Sequence, residues 1–306
     1  MLNATHMIVL MVPQGAALEV DRVADVAKAA GAEIIEIRTV PVPVTLSDRR
    51  TVHNLLVISA DTEGLSSRLR ALSDRHGVDI ALQPRAARCQ SYRLAVFDMD
   101  STLIDCEVID ELAAVAGVGE EVAEITAQAM RGELDFDESY RIRLALLEGL
   151  DARAIEELAD RLPVKEGLRE MTTTLRARGM KLAIFSGGFM PIAKRLQADY
   201  GFDEVVANTL EIESGHVTGR VVPPIVNREH KAVALNALAS RLGISVDACI
   251  AVGDGANDLD MMATAGLGVA FHAKPAVRAA SPIEVTHCGL DGVCYLLGSE
   301  GEFADT

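Results

Sequence analysis

Asp98-Met99-Asp100-Ser101-Thr102 sets two carboxylates two residues apart, directly after the apolar run Leu94-Ala95-Val96-Phe97. If the chain turns there, both can face one site. Asp98 would then attack phosphorus and carry an aspartyl-phosphate, while Asp100 would protonate a leaving oxygen and later take a proton from water. A solvated acidic turn that caps the next helix uses the same residue types. Ser186-Gly187-Gly188 follows the run Lys181–Phe185 and leads into a helical pattern; a hydroxyl and free backbone N–H groups there make an oxyanion or phosphate cradle, or a plain Ser/Gly turn. Lys231, near the start of a helix expected from about Glu229, is a point charge suited to a phosphate, although a lone Lys in a first turn is ordinarily only solvated. Gly253-Asp254-Gly255-Ala256-Asn257-Asp258 closes the run Ile250-Ala251-Val252. Its carboxylates are hard oxygen ligands of the kind that suits Mg²⁺, and they would repel one another at the end of a buried strand without a cation.

These stretches need elements that bring them together. Short continuous apolar runs at Leu94–Phe97, Lys181–Phe185, Glu204–Ala207, Ala248–Val252 and Gly268–Phe271, with a last one at Ile283–Thr286, read as strands buried on both faces of a parallel sheet. Helical patterns at Leu168–Arg178, Met190–Tyr200, His230–Leu242 and Asp258–Ala265 alternate with them. The expected fold is α/β, a doubly wound parallel sheet, whose ligands sit at the carboxyl ends of the strands. About eighty residues separate the first strand from the second. They read as helices near Glu107–Val115, Glu120–Arg131, Asp137–Leu147 and Ala152–Arg161, stopped by Gly117, Gly132 and Gly149, and form a cap at about residues 103–162 over the strand ends.

In order and context, D-x-D-S-T, S-G-G, a Lys and G-D-G-x-N-D resemble the haloacid-dehalogenase-like phosphohydrolases over about residues 91–295. The resemblance implies Asp98 as nucleophile and Asp100 as general acid/base. It implies Ser186, Gly187 and Lys231 as phosphate binders, and a Mg²⁺ held by Asp98, the backbone carbonyl of Asp100 and Asp254, with Asp258 in support.

Specificity must come from the cap. Glu107 lies nine residues past Asp98 and can pair with an ammonium; Arg143 offers a planar fork to a carboxylate. Alternatively, Glu107 is a helix N-terminal acid favoured by the dipole and Arg143 belongs to an i,i+4 surface pair, although Leu147 offers it no partner and Ser139 only a hydroxyl. Phe136-Asp137-Glu138-Ser139-Tyr140-Arg141-Ile142-Arg143-Leu144, together with Asp98–Thr102 and Glu107, closely resembles the family members that hydrolyse O-phospho-L-serine. That implies Glu107 and Arg143 on the substrate ammonium and carboxylate, Asn257 near the phosphate, and Met130 and Phe136 on the apolar side of the pocket. Arg143 is chosen over Arg141, because positions two apart on a helix point away from each other. The implied activity is Mg²⁺-dependent release of L-serine and phosphate, the last step of serine synthesis by the phosphorylated route. A phosphotransferase and a catalytically silent amino-acid sensor are the alternatives.

The chain carries 29 Lys and Arg against 45 Asp and Glu, which argues against nucleic acid and anionic membranes as partners. Residues 1–90 hold ten acids and ten bases, so the whole excess of sixteen lies beyond them, and residues 103–162 alone hold sixteen acids and five bases. Arg143 is therefore one of few cap bases. Five scattered cysteines, no signal-like start and no apolar run of membrane length suggest a cytoplasmic protein. Residues 1–84 read as strand, helix, strand, strand, helix, strand: Met7–Val12, Val20–Ala30, Glu33–Val40, Val52–Ile58, Glu63–His76 and Val78–Leu82. This ferredoxin-like α+β order resembles the regulatory domains called ACT-type. An amino-acid effector and a homodimer are the partners such a domain would bring. Residues 85–92 are expected to be a polar linker to a phosphatase domain over 93–306.

Overall fold

The structure, a computed structural model, describes residues 4–46 and 48–298. The first unit is an antiparallel sheet of β1 (His6–Pro13), β2 (Glu33–Val40), β3 (Arg50–Ile58) and β4 (Asp79–Pro84) in the order β2-β3-β1-β4, as a ferredoxin-like unit requires. Alternation along its strands supplies two cores. Ile8, Leu10, Leu55 and Val57 pack with Val23, Leu65 and Leu69 of helices Val20–Ala29 and Thr62–His76. Met7, Val9, Met11, Val52 and Leu56 belong instead to the core of the second unit, with Cys288, Val293 and Leu297.

The second unit is a seven-stranded sheet: β5 (Leu94–Phe97), β6 (Lys181–Phe189), β7 (Glu204–Glu213), β8 (His216–Val222), β9 (Cys249–Gly253), β10 (Leu267–Phe271) and β11 (Glu284–Val285), ordered β11-β10-β9-β5-β6-β7-β8. All its pairings are parallel except β7 with β8. That antiparallel edge departs from the expected all-parallel sheet. Ser214 and Gly215, both at positive φ (52° and 83°), close a tight hairpin that extends β7 well past Ala207. The hairpin supports the cap: Gly149 N–H donates to the Val217 carbonyl at 2.8 Å, and Val217 N–H donates to Leu150 at 2.9 Å. Cap helices Val108–Ala116, Gly119–Met130, Phe136–Ala145 and Arg153–Ala159 lie close to their expected positions. Among the described residues, no helix is long and apolar enough to cross a membrane.

The expected polar linker is a helical turn, Arg85–Arg88, and Arg88 is buried. Its Nη1 donates to the Tyr295 carbonyl at 2.5 Å, so a residue of the expected polar linker ties the two units together. Asp79 does more. It is 1% exposed and accepts the backbone N–H groups of Thr286, His287 and Cys288 at 2.6, 3.0 and 2.7 Å. Arg50, also buried, pairs with Glu166 at 2.7 Å and Asp291 at 3.1 Å across the same junction. Asp79→Ala leaves three N–H groups without their acceptor, and is expected to destabilise the protein by about 2–4 kcal/mol in denaturant unfolding. A change under about 0.5 kcal/mol would mean that the units do not depend on this contact.

Candidate active site

Because β6, β5 and β9 are neighbours, their carboxyl ends open at one place. Phe97 is level with Ile184 on one side and Val252 on the other, so Asp98, Ser186 and Asp254 emerge together. Asp98 N–H continues the ladder to the Val252 carbonyl at 2.9 Å, while its side chain is nearly buried. Oδ1 of Asp98 accepts from Met99 N–H at 2.7 Å and lies 2.8 Å from Lys231 Nζ. No hydrogen bond to Oδ2 occurs among the described residues.

Lys231 has no exposed surface. It stands in the first turn of helix Arg228–Leu242, which Asn227 caps by accepting His230 N–H at 3.0 Å. Besides Asp98, its ammonium donates to Asp258 Oδ1 at 2.7 Å, and Asp258 Oδ2 accepts Gly255 N–H at 3.0 Å. Burial alone would lower the Lys231 pKa, but Asp258 and Asp98 reverse that and raise it, so the side chain stays charged. Gly253 allows Asp258 to fold back this closely, since a Cβ there would lie 2.4 Å from the Asp258 carboxyl carbon.

Asp100 is a different kind of carboxyl. Burial, then Glu107 and Asp98, push its pKa well above the usual range, against the pull of Lys231 and the Val108 N–H. Its Oδ1 is buried without a hydrogen-bond partner among the described residues. A group so placed holds a proton that it can give away. Gly188 makes room for it, because a Cβ would come within 2.5 Å of Asp100 Oδ2. The Ser-Gly-Gly stretch, expected as a loop after β6, is instead a bulge within its end, where Gly188 N–H donates to the buried Ser186 Oγ at 2.8 Å.

Carboxylate oxygens of Asp98, Asp254 and Asp258 lie within 4.8 Å of one another. Burial and Asp98 push Asp254 up to about 6. A cluster of hard oxygens raised by mutual repulsion fits a divalent cation such as Mg²⁺. Since both oxygens of Asp258 are already engaged, by Lys231 and Gly255, that residue suits a supporting place behind Asp98 and Asp254.

On the cap side, Arg143 is half-buried. Burial lowers its pKa, and Asp110 and Glu107 are near enough to act on it. Glu107 is pushed up chiefly by its own burial. Arg141 is exposed and lies 3.8 Å from Asp137 on the same helix, which separates the two arginines as the helical spacing requires. Phe136 stacks on Tyr140 with ring centroids 6.1 Å apart and faces Gly187. Asn257 Nδ2 also faces Gly187. Met130, expected beside Phe136, is 76% exposed.

Three contributors escaped the sequence reading. Thr102 donates to Asp254 Oδ1 at 3.1 Å, and Lys274 Nζ lies 3.9 Å from Oδ2. Fully buried Asn208 donates to the Gly187 carbonyl and accepts Val226 N–H, both at 2.8 Å, clamping the Ser-Gly-Gly bulge to the segment before Asn227. Thr102 lies inside a motif that drew attention only for its acids; Asn208 has no sequence signal, since one polar residue in a strand says nothing of its partners.

Fold and site together define a scaffold of the haloacid dehalogenase type. Residues 92–266 match the haloacid dehalogenase-like hydrolase family, and the chain belongs to it. It is 46% identical over 259 residues to a phosphoserine phosphatase of Streptomyces coelicolor, a match covering 84% of this chain and 63% of the relative. The chain thus spans less than two thirds of that relative's length. It is also 44% identical to a phosphoserine phosphatase of Streptococcus thermophilus, over 68% of this chain and 97% of that one. A crystal structure of a haloacid dehalogenase family hydrolase from Salmonella enterica serovar Typhi superposes with a TM-score of 0.86 at 30% identity, covering 96% of this chain and 99% of the other.

The crowded carboxylates make a prediction about stability. An Asp254 pKa of about 6 in the fold, against about 3.9 unfolded, means that the native state takes up this proton first as pH falls. The penalty is absent below about pH 4 and complete above about pH 6. Asp254→Asn should therefore stabilise the metal-free protein by about 1–3 kcal/mol at pH 7.5 and by much less at pH 4. Equal effects at both pH values in thermal unfolding would contradict the repulsion.

Proposed function

We propose that the protein is a Mg²⁺-dependent phosphoserine phosphatase that hydrolyses O-phospho-L-serine to L-serine and phosphate. One arrangement carries the reading: the nucleophile and acid of a phosphatase lie beneath a cap that presents Glu107 and Arg143, both half-buried, opposite charges near enough to influence each other. A phosphorylated α-amino acid has the complementary set, an ammonium, a carboxylate and a phosphate. The relatives named phosphoserine phosphatase support the same substrate.

In the reaction, Oδ2 of Asp98, which accepts no hydrogen bond among the described residues, attacks phosphorus. The serine oxygen leaves with the proton held by Asp100, and an aspartyl-phosphate remains on Asp98. Asp100, now a carboxylate, takes a proton from the water that attacks the phosphorus, and Asp98 is released. Lys231 keeps one Asp98 oxygen fixed and offsets the negative charge of the phosphoryl group, while Ser186, Gly187 and Asn257 face it. Mg²⁺, held by Asp98, Asp254 and the Asp100 carbonyl, would supply further charge neutralisation at the phosphoryl oxygens. Phosphotransfer to an alcohol is the competing outcome. Residues 1–84 we read as a regulatory domain for an amino-acid effector or a homodimer; one face of its sheet is already used against the second unit.

Release of inorganic phosphate from O-phospho-L-serine with no acceptor added is the expected result, and a requirement for an alcohol would favour transfer. Asp98→Asn should lower kcat by at least about a thousandfold while the thermal midpoint is kept, since removal of a nucleophile leaves only binding and electrostatics. Appreciable turnover by the variant would refute a nucleophilic Asp98. Arg143→Ala should raise KM for O-phospho-L-serine by about tenfold or more, with little effect on p-nitrophenyl phosphate, which lacks a carboxylate. Equal losses on the two substrates would count against Arg143 as the carboxylate partner.

A further inference from the structure

Glu107 occupies the cap position of helix Val108–Ala116 with extended backbone (φ −97°, ψ 114°), the place from which a side chain commonly accepts the helix's own N–H groups. Its carboxylate makes no such bond. It accepts instead from Ser101, whose Oγ lies 2.8 Å from Glu107 Oε1. No hydrogen bond to Oε2 occurs among the described residues.

Ser101 is held for this task by the chain on both sides. Its N–H donates to the Cys106 carbonyl at 3.2 Å, and the N–H groups of Thr102, Leu103 and Ile104 all turn to the Met99 carbonyl at 3.2, 2.8 and 3.1 Å. Such a turn puts Ser101 at φ 59°, in the left-handed region. A residue with a Cβ is strained there and glycine is not. Backbone geometry alone therefore favours glycine at 101, and the hydroxyl is what serine adds. The same short loop carries the acid as well, since Asp100 directly precedes Ser101. Residues 100–108 thus join the proton donor to Glu107 through one closed turn.

We propose that Ser101 is a positioning residue, whose hydroxyl fixes one oxygen of Glu107 so that the other meets the substrate ammonium, making Ser101 a determinant of selectivity for phosphorylated amines. The proposal rests on the reading of Glu107 as the ammonium partner. A merely structural serine, stapling the turn, would act on stability and on all substrates alike.

The test compares wild type, Ser101→Gly and Ser101→Thr on O-phospho-L-serine and on phosphoglycolate, which has the phosphate and carboxylate but no ammonium, with the thermal midpoint of each protein. Ser101→Gly relieves the backbone and loses the hydroxyl. Its midpoint should hold or rise, while the ratio of kcat/KM for phosphoserine over phosphoglycolate falls about 5- to 30-fold, mainly through KM for phosphoserine. Ser101→Thr keeps the hydroxyl on a more strained residue, so its midpoint should fall while the ratio stays within about twofold of wild type. An unchanged ratio in Ser101→Gly, or a ratio that follows the midpoint through both variants, overturns the proposal. Wild type separates the two levels: a selective wild type with an equally selective Ser101→Gly removes only Ser101, whereas a wild type that does not prefer phosphoserine removes the Glu107 reading and this proposal with it.

Discussion

The ammonium of Lys231, buried between Asp98 at 2.8 Å and Asp258 at 2.7 Å, is the interaction on which the second unit depends. Three carboxyl groups at the ends of adjacent loops cannot gather in a dry place unless positive charge is built in among them. Lys231 supplies it from a helix whose start is fixed by Asn227, and Asn227 Nδ2 also reaches Asp137 of the cap at 3.0 Å. The charge of the site, the position of the helix and the attachment of the cap are thereby one problem with one solution. The interaction does not neutralise everything. Asp254 remains raised to about 6, and that residual strain is what a divalent cation would relieve.

Around this ion triad the sheet acts as a positioning device. β5 is central, so its end is the one place where loops from both neighbouring strands meet, and the family's chemistry follows from that placement. The cap gains its position from the antiparallel β7–β8 hairpin, which holds residues 149–152 by backbone bonds. The first unit is fastened by Asp79, Arg50 and Arg88 to the short terminal elements after β10, which have little secondary structure of their own. Those contacts make residues 1–84 part of the architecture of the second unit, whatever ligand they take.

Much of this was legible in the sequence, and the misses share a cause. Buried strands announce themselves by continuous apolar runs, and D-x-D-S-T and G-D-G-A-N-D announce carboxylates at strand ends. Helical periodicity sets Arg143 and Arg141 on different faces, and the resemblance, not the periodicity, points to Arg143. What escaped is long-range pairing of polar groups. Asn208 bridges Gly187 and Val226, Asp79 binds a turn some two hundred residues away, and Arg88 is buried where the pattern reads as a polar linker. A polar side chain in a sequence looks the same whether water or a distant carbonyl satisfies it, so only the fold can distinguish them. The hairpin has a local reason for its obscurity: Ser214-Gly215 is a turn signal, but β7 beyond Ala207 and the whole of β8 are mostly exposed or half-buried and lack the continuous apolar run that marks the other strands.

The charge of the chain also acquires a narrower meaning. The cap's excess of acids makes the few withdrawn bases informative, and Arg143 is withdrawn where Arg141 and Arg153 are exposed. In the proposed reaction Asp98 is the group that carries phosphate, and the direct measurement is acid quenching of the protein during turnover of O-phospho-L-serine, followed by peptide mass spectrometry. A base-labile phosphate on the peptide containing Asp98 is the predicted result; turnover with phosphate on a different residue, or on none at any quench time, would contradict it.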